Sequence, residues 1–213
     1  MKQTSPFAIT ISRQLGSGGA FIGQQLAKIL NISYIDRDLI EEVAKKFSIL
    51  TKDMESRDEK IISFWQSFLQ SITRGPDAYI PRQPIAPTDR ELFNAESEII
   101  ERLSTERSAV IMGRCGSYIL RQHPRNVSIF LHASLAFRTA RVQQLYHLSE
   151  SAASKMIIEN DKKRALYYHA FTGKEWADAK QYDLSLDTSK IGIDNTLKMI
   201  MEYLINRKVE TLD

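Results

Sequence analysis

The chain has 213 residues and carries 29 Lys and Arg against 26 Asp and Glu, so its formal net charge is only +3. This length suits one core domain, or a core domain with a smaller appendage. The weak positive excess fits an anionic ligand, while the lack of a dense Lys/Arg block argues against a nucleic-acid partner. The only cysteine, Cys115, excludes an internal disulfide.

The opening residues carry no hydrophobic signal region, and no apolar run in the sequence is long enough to span a bilayer. We therefore expect a cytoplasmic protein that has no membrane partner.

The first predicted elements are a strand, a glycine-rich loop and a helix. Residues 7–12 are apolar and rich in β-branched side chains, three glycines follow at 16, 18 and 19, and apolar residues then recur at helical spacing up to residue 30. This order of elements points backbone N–H groups at a phosphate. The residues predicted to bind phosphate are Gly16, Ser17, Gly18, Gly19 and Ala20.

The loop lacks the side chains of the common nucleotide-binding motifs. In G-x-x-x-x-G-K-[ST], Gly19 falls where the lysine belongs and Phe21 where the Mg²⁺-binding hydroxyl belongs. Phe21 also replaces the last glycine of G-x-G-x-x-G. A plain strand-to-helix turn is the alternative. Arg13, just past the strand, could supply the missing cation because a guanidinium binds phosphate well, or it could be a surface arginine.

Four more strands are predicted, each followed by helical sequence. The strands are 32–35, 108–113, 127–131 and 182–187; the helices are 19–30, 39–47, 90–105, 118–122, 135–148, 150–171 and 193–207. Between the second and third strands, an amphipathic helix over 52–73 and a proline-rich loop over 75–87 indicate a helical insertion.

Strands that alternate with helices predict an α/β three-layer sandwich with a five-stranded parallel sheet. Ligands of such sheets bind at the carboxyl ends of the strands. The polar and charged residues at these ends are Ser12, Arg13, Asp36, Arg37, Asp38, Arg114, His132 and Asp187. We therefore expect the site at this edge of the sheet.

Further arginines lie on the predicted helices. Arg138 and Arg141 are one turn apart, and Arg164 follows Asp161 at the same spacing. Arginines that converge on a phosphate loop would serve phosphoryl transfer, although a solvated helix face is the alternative for residues 162–164. The four histidines show no metal spacing and no serine lies in G-x-S-x-G, so neither a zinc site nor an esterase is expected.

Taken together, these stretches resemble the cytidylate kinase-like branch of the nucleoside monophosphate kinases, within the P-loop NTPases. The matching stretches are 9–19, 34–40, 110–114, 129–134 with Arg138 and Arg141, 161–168, 171–176 and 182–189. The resemblance implies one kinase-like domain over 1–213, a helical monophosphate-binding insertion over 40–107 and a lid over 150–176. It also implies a nucleotide substrate, with ATP and Mg²⁺ as cofactors.

The resemblance assigns roles to individual positions. Asp36 matches the position that faces the acceptor and Arg114 a monophosphate-binding arginine; with Arg37 they form the predicted acceptor site. Cys115 replaces the aspartate that helps cytidylate kinases read cytosine, and Asn160 replaces one lid arginine. The predicted catalytic residues are Arg13, Arg138, Asp161 and Arg164, and the sequence assigns no metal ligands.

Two functions follow. The first is a kinase that transfers a phosphoryl group from ATP to a nucleoside monophosphate, CMP-like, or to a related small phosphoacceptor. The second is a nucleotide-binding or regulatory protein of the same fold that has lost most of its catalysis. The segments 52–73 and 75–87 could form a homodimer contact, or they could cover the acceptor.

Overall fold

A computed structural model describes residues 5–36, 38–41, 43–44 and 89–207. The strands within these ranges are β1 (Ala8–Arg13), β2 (Ser33–Ile35), β3 (Ala109–Met112), β4 (Asn126–His132) and β5 (Leu184–Asp187). They form one sheet in the order β2-β3-β1-β4-β5, and every neighbouring pair is parallel. The predicted five-stranded parallel sheet is confirmed, with the glycine-loop strand β1 at its centre.

The helices agree with the predicted ones to within a few residues. They are α1 (Gly19–Ile29), α2 (Asp89–Glu106), α3 (Gly116–Ile119), α4 (Leu135–Tyr146), α5 (Glu150–Thr172), α6 (Thr188–Ile191) and α7 (Ile193–Asn206), with a 3₁₀ turn at Ala179–Gln181. Residues 38–41, 43 and 44 are also helical. The predicted helix over 52–73 and the proline-rich loop over 75–87 lie outside the described residues. Across the described residues, we find no helix with the length and apolar character needed to cross a membrane.

The sheet is buried on both faces, which explains why its strands read as apolar runs rather than alternating ones. Ile9 of β1 packs in the layer that α1 and α7 cover with Leu26 and Ile200. Its neighbour Ala8 packs in the opposite layer, where α2 contributes Ile99. Successive strand residues point to opposite faces, so one strand supplies both layers of the three-layer sandwich.

The two helices that follow β4 have well-defined ends. Ser134 caps α4 by accepting from the N–H of Phe137 at 3.4 Å, and Ser149 caps α5 by accepting from the N–H of Ala152 at 3.3 Å. Gly173, with φ of 68°, ends α5 in the left-handed conformation. These caps fix where α5 begins and ends.

Helix α5 runs along the carboxyl edge of the sheet. Near its start, Ile157 packs with Val142 of α4 and with Leu15 of the loop after β1. Near its end, Tyr168 joins an aromatic cluster with Phe130 of β4 and Trp176. The helix therefore reaches from the glycine loop to the end of β4 and covers the edge where the site is expected.

Candidate active site

The loop between β1 and α1 (residues 14–18, hereafter the glycine loop) depends on two glycines in left-handed backbone. Gly16 has φ of 84° and Gly18 has φ of 82°. Gly18 is the N-cap of α1 and provides no side-chain cap for the first helical turn. The positive end of α1 thus opens onto the loop without a capping side chain, as an anion site requires.

Side-chain hydrogen bonds fix the shape of the glycine loop. The fully buried Ser17 donates its hydroxyl to the carbonyl of Gln14 at 2.9 Å, and its N–H bonds the same carbonyl at 3.3 Å. Thr188 donates to the carbonyl of Ser17 at 2.8 Å, and the amide oxygen of Gln14 accepts from the N–H of Ala133 at 3.2 Å. Ser17, a predicted phosphate ligand, therefore shapes the loop with its own donors.

Asp161 of α5 ties the helix to the glycine loop. Its Oδ1 accepts from the N–H of Leu15 at 3.0 Å, and its Oδ2 accepts from Nη1 of Arg138 at 2.5 Å. Nη1 of Arg164, one turn further along α5, lies 3.7 Å from Oδ1. One carboxylate thus joins the loop, α4 and α5.

Arg138 lies against the glycine loop from the other side. It is only 8% exposed, and its Nε donates to the carbonyl of Ala133 at 3.0 Å while Nη1 reaches the carbonyl of Leu15 at 3.4 Å. A Cβ at Gly16 would lie 2.8 Å from the Arg138 carbonyl oxygen. Arg138 and Asp161, both predicted as catalytic, are brought together here as supports of the loop.

Two cavities open at the carboxyl edge of the sheet. The loop cavity, about 220 Å³, lies between residues 13–21 and the α4 side chains from Arg141 to Tyr146. The strand-end cavity, about 250 Å³, lies between the ends of β1 and β3 and the α5 side chains from Asn160 to Tyr168. Arg13 and Arg164 line both cavities. The structure thus brings two of the predicted catalytic residues to the junction of the two spaces.

Lys163 and Trp176 also line the strand-end cavity, and Leu145 lines the loop cavity. The sequence left a solvated helix face as the alternative for the Lys/Arg run that contains Lys163. Trp176 packs in the aromatic cluster, and it forms part of the cavity wall as well.

A buried ion cluster forms part of the wall of the strand-end cavity, which Arg114 and Tyr167 line. Arg114, 9% exposed, places Nη1 3.0 Å from Oε1 of the fully buried Glu96 and also pairs with Glu41. Its guanidinium lies 5.2 Å from the ring centre of Tyr167, which donates its hydroxyl to Glu96 Oε2 at 2.5 Å. Two carboxylates therefore pair with this predicted acceptor-binding arginine.

The ion cluster shifts the titration of its members. Burial acts to lower the pKa of Arg114, but Glu96, Tyr167 and Glu41 together outweigh it, so the pKa is raised and the guanidinium stays charged. Burial, and then Glu96, raises the pKa of Tyr167, which keeps that phenol protonated. Sequence reasoning missed Glu96; the signal was a carboxylate on the buried stripe of α2, in line with Phe93 and Ile100.

Cys115 contributes an uncharged wall to the strand-end cavity. Burial, with a smaller contribution from Glu96, raises the pKa of its thiol to about 12. The thiol is thus neutral at physiological pH.

None of the residues that line either cavity in the described part of the chain is a carboxylate.

Of the other predicted acceptor residues, the structure describes only Asp36. Asp36 is exposed and accepts from the N–H of Leu39 at 2.9 Å, and it lines neither of the two cavities. Arg37 lies outside the described residues. At the ends of β4 and β5, His132 and Asp187 face each other in register and also stay clear of both cavities.

The described residues suit phosphate better than a metal. No group of three or more His, Cys, Asp or Glu side chains among them could hold a metal ion. Ala20 and Phe21 have no hydroxyl, and the Ser17 hydroxyl bonds Gln14. Mg²⁺ in nucleotide sites is held by one or two protein oxygens, substrate phosphates and water. The protein part of such a site is not formed by these residues, so we derive no step through the metal.

A parallel sheet of this order, with a glycine loop between its central strand and the next helix, defines an α/β phosphate-binding fold of the P-loop kinase type. The chain belongs to the cytidylate kinase-like family, whose model matches residues 8–190.

Named relatives and a solved structure agree with this membership. The chain is 23% identical over 197 residues to the cytidylate kinase of Sulfurisphaera tokodaii, covering 92% of this chain and 94% of that protein. It is 22% identical over 201 residues to the cytidylate kinase of Pyrobaculum islandicum, covering 92% and 91%. The structure of an uncharacterized protein from Eubacterium ventriosum shares the fold, with a TM-score of 0.71, 24% identity and coverage of 94% and 99%.

Proposed function

We propose that this chain is a kinase that transfers a phosphoryl group from ATP to a nucleoside monophosphate, with CMP the first acceptor to test. The single observation that carries the proposal is the pair of adjoining cavities that share Arg13 and Arg164. A phosphoryl transfer needs two nucleotide sites that meet at one point, and it needs cations at that point.

In this proposal the loop cavity takes the triphosphate. The glycine loop and the N-terminus of α1 bind its phosphates through backbone N–H groups. Arg141, Leu145 and Tyr146 of α4 face the same cavity, and the side chains of Leu145 and Tyr146 are more than half exposed, at 57% and 51%. In this proposal the adenine base of ATP covers these exposed side chains.

The strand-end cavity takes the acceptor. Lys163 and Arg164 of α5 give the cavity a positive charge that suits a monophosphate, and Cys115, Tyr168 and Trp176 give it an uncharged, largely aromatic surface. The predicted insertion over 40–107 and lid over 150–176 belong to this proposal, with α5 as the helix of the lid. ATP and Mg²⁺ are the cofactors that family membership implies.

The reaction balances without an added proton. An oxygen of the dianionic acceptor phosphate forms a bond to the γ-phosphorus, the bond from that phosphorus to the β,γ-bridging oxygen breaks, and ADP leaves with the electron pair. Arg13 and Arg164 would stabilise the charge on the equatorial oxygens of the transferred group. Arg138 and Asp161 would act through the glycine loop, as positioning residues.

The second candidate, a nucleotide-binding protein without turnover, is favoured by the missing loop lysine and hydroxyl. A panel assay separates the two. Purified protein with ATP and Mg²⁺ is given CMP, dCMP, UMP or AMP, and the diphosphate product is quantified by ion-exchange chromatography. The kinase proposal expects a preferred acceptor with turnover of at least about 1 s⁻¹, the low end for enzymes. Background rates for all four acceptors, together with measurable ATP binding, would establish the second candidate instead.

A further inference from the structure

Gly19 has no conformational reason to be glycine. It is the first residue of α1 and its backbone does not lie in the left-handed region, unlike that of Gly18 before it. An alanine would satisfy the helix better than glycine does. The reason is space: a Cβ at Gly19 would lie 2.7 Å from Cβ of Arg13 and 2.9 Å from its Cγ. The missing side chain makes room for the stem of Arg13.

A second glycine receives the other end of the same side chain. Gly113, directly after β3, has φ of 74°, and a Cβ there would lie 2.6 Å from Nη1 of Arg13. The arginine thus runs from the end of β1, past the start of α1, to the end of β3. Gly19 and Gly113 together form a slot, hereafter the glycine slot, in which its stem and its guanidinium lie.

We propose that Arg13, seated in the glycine slot, is the cation of this phosphate loop and binds the γ-phosphate of the bound triphosphate. The position that a lysine takes in the common loop motif is Gly19, and the stem of Arg13 fills the adjoining volume. The positive charge that the common motif carries on the first residue of the helix is carried in this chain by the last residue of the strand. This inference rests on the proposed function and names Arg13 as the residue that distinguishes the triphosphate donor from its diphosphate product.

Arg13 lies where the two cavities meet, and its Nη1 lies beside Gly113 in the wall of the strand-end cavity. Arg13 lines both of them, and its own carbonyl accepts from Nη1 of Arg164 at 3.1 Å, which fixes its backbone beside the second junction arginine. A nucleotide whose inner phosphates lie on the glycine loop extends its last phosphate toward the acceptor. A cation at the junction therefore contacts the γ-phosphate and leaves the phosphates of ADP to the loop.

Calorimetric binding tests this assignment without turnover. The β,γ-imido analogue of ATP and ADP are titrated into wild type, Arg13→Ala and the matched control Arg102→Ala, whose arginine pairs with Glu106 on the surface of α2. We expect Arg13→Ala to bind the triphosphate at least about tenfold more weakly and ADP within about twofold of wild type, in line with the strength of charge-assisted hydrogen bonds. The control should match wild type for both ligands.

Three outcomes would overturn the assignment. One is an Arg13→Ala variant that binds both nucleotides as wild type does. Another is an equal loss for both nucleotides, which would place the cation on an inner phosphate. The third is a wild-type protein that binds the triphosphate analogue no better than ADP.

The glycine slot itself is tested by Gly19→Ala. Helix propensity alone would stabilise this variant, so a lower melting temperature and a loss of triphosphate affinity like that of Arg13→Ala identify a clash with the arginine stem. The double variant Arg13→Gly/Gly19→Ala, which removes Cβ and Cγ at position 13, should regain the melting temperature of Arg13→Gly without regaining the affinity. A Gly19→Ala protein with wild-type stability and affinity would contradict the slot.

The binding data separate this inference from the proposed function. Turnover in the wild type with unchanged triphosphate binding in Arg13→Ala would leave the kinase standing and remove the role of Arg13. Selective loss of triphosphate binding in Arg13→Ala, in a protein that phosphorylates none of the acceptors, would support the role of Arg13 and contradict the kinase.

Discussion

Two pairs of arginines at this site are alike in the sequence and opposite in their surroundings. Arg114 and Arg138 are about nine-tenths buried, and each guanidinium is held by carboxylates that lie far away in the chain. Arg13 and Arg164 are only partly buried, and both line the two cavities. We call the first pair the held arginines and the second pair the junction arginines, and we propose that the second pair meets the ligand.

The held arginines lie close to their carboxylates. Asp161 accepts from Arg138 at 2.5 Å and joins it to the glycine loop, and Arg114 pairs with Glu96 in the wall of the strand-end cavity, whereas Arg164 lies 3.7 Å from Asp161. Removing one partner of a buried ion pair leaves the other charge without compensation. The held arginines should therefore matter first for stability, and the junction arginines first for rate.

The largest expected effect is on a held arginine. Arg138→Ala leaves Asp161 facing the loop without its 2.5 Å partner, so we expect the free energy of unfolding to fall by about 3–5 kcal/mol. Urea denaturation measures it. The exposed pair of Arg102 and Glu106 serves as control, since Arg102→Ala should cost no more than about 0.5 kcal/mol. Equal losses in the two variants would remove the distinction between held and surface arginines.

A junction arginine should show the opposite profile. Arg164→Ala is expected to lower kcat for the preferred acceptor by about 10²–10³, the usual cost of one preorganised donor, while unfolding changes by about 1 kcal/mol or less. Arg164→Lys, which keeps the charge without the planar fork, should recover part of the rate. Steady-state kinetics and urea denaturation on the same preparations give both values. A variant that loses stability as Arg138→Ala does, with kcat intact, would move Arg164 to the held group.

The smallest effect concerns the thiol next to Arg114. Because burial raises the pKa of Cys115 from 9.0 to about 12, the unfolded chain releases this proton before the folded chain does. The folded state then binds more protons, so stability falls as pH rises above 9, with a slope that approaches about 1.4 kcal/mol per pH unit.

Cys115→Ala should lower this slope between pH 9 and 10, since the tyrosines whose pKa is raised, Tyr34, Tyr167, Tyr168 and Tyr182, add the same slope to both proteins. Urea denaturation at several pH values compares the two proteins. Identical slopes would mean that the thiol is not held neutral by its surroundings.

Local patterns in the sequence were enough to predict the sheet, the glycine loop and the edge at which the site lies. The periodicity of strands and helices is a local property of the sequence, and the three glycines predict the loop between β1 and α1. The sequence could not separate Arg138 from Arg164, because what separates them is which of them Asp161 holds closely. It could not find Glu96 as a partner of Arg114 either, since that contact forms only when α2 packs beside β3.

The role of Gly19 was also ambiguous in the sequence. The same glycine that reads as the loss of a lysine is, in three dimensions, the space that Arg13 occupies. This contact depends on the distance in space between Gly19 and the side chain of Arg13, which the spacing of the two residues along the chain does not predict.

The most direct test of the central claim uses one molecule that fills both cavities. This molecule is cytidine joined to adenosine through a pentaphosphate. Its adenosine would bind in the loop cavity and its cytidine in the strand-end cavity, with the phosphates beside Arg13 and Arg164. Because both halves bind at once, calorimetry should find it at least about 10²-fold tighter than the ATP analogue alone. An affinity equal to that of the ATP analogue, unchanged when CMP is added in competition, would show that only one nucleotide site exists and would contradict the account.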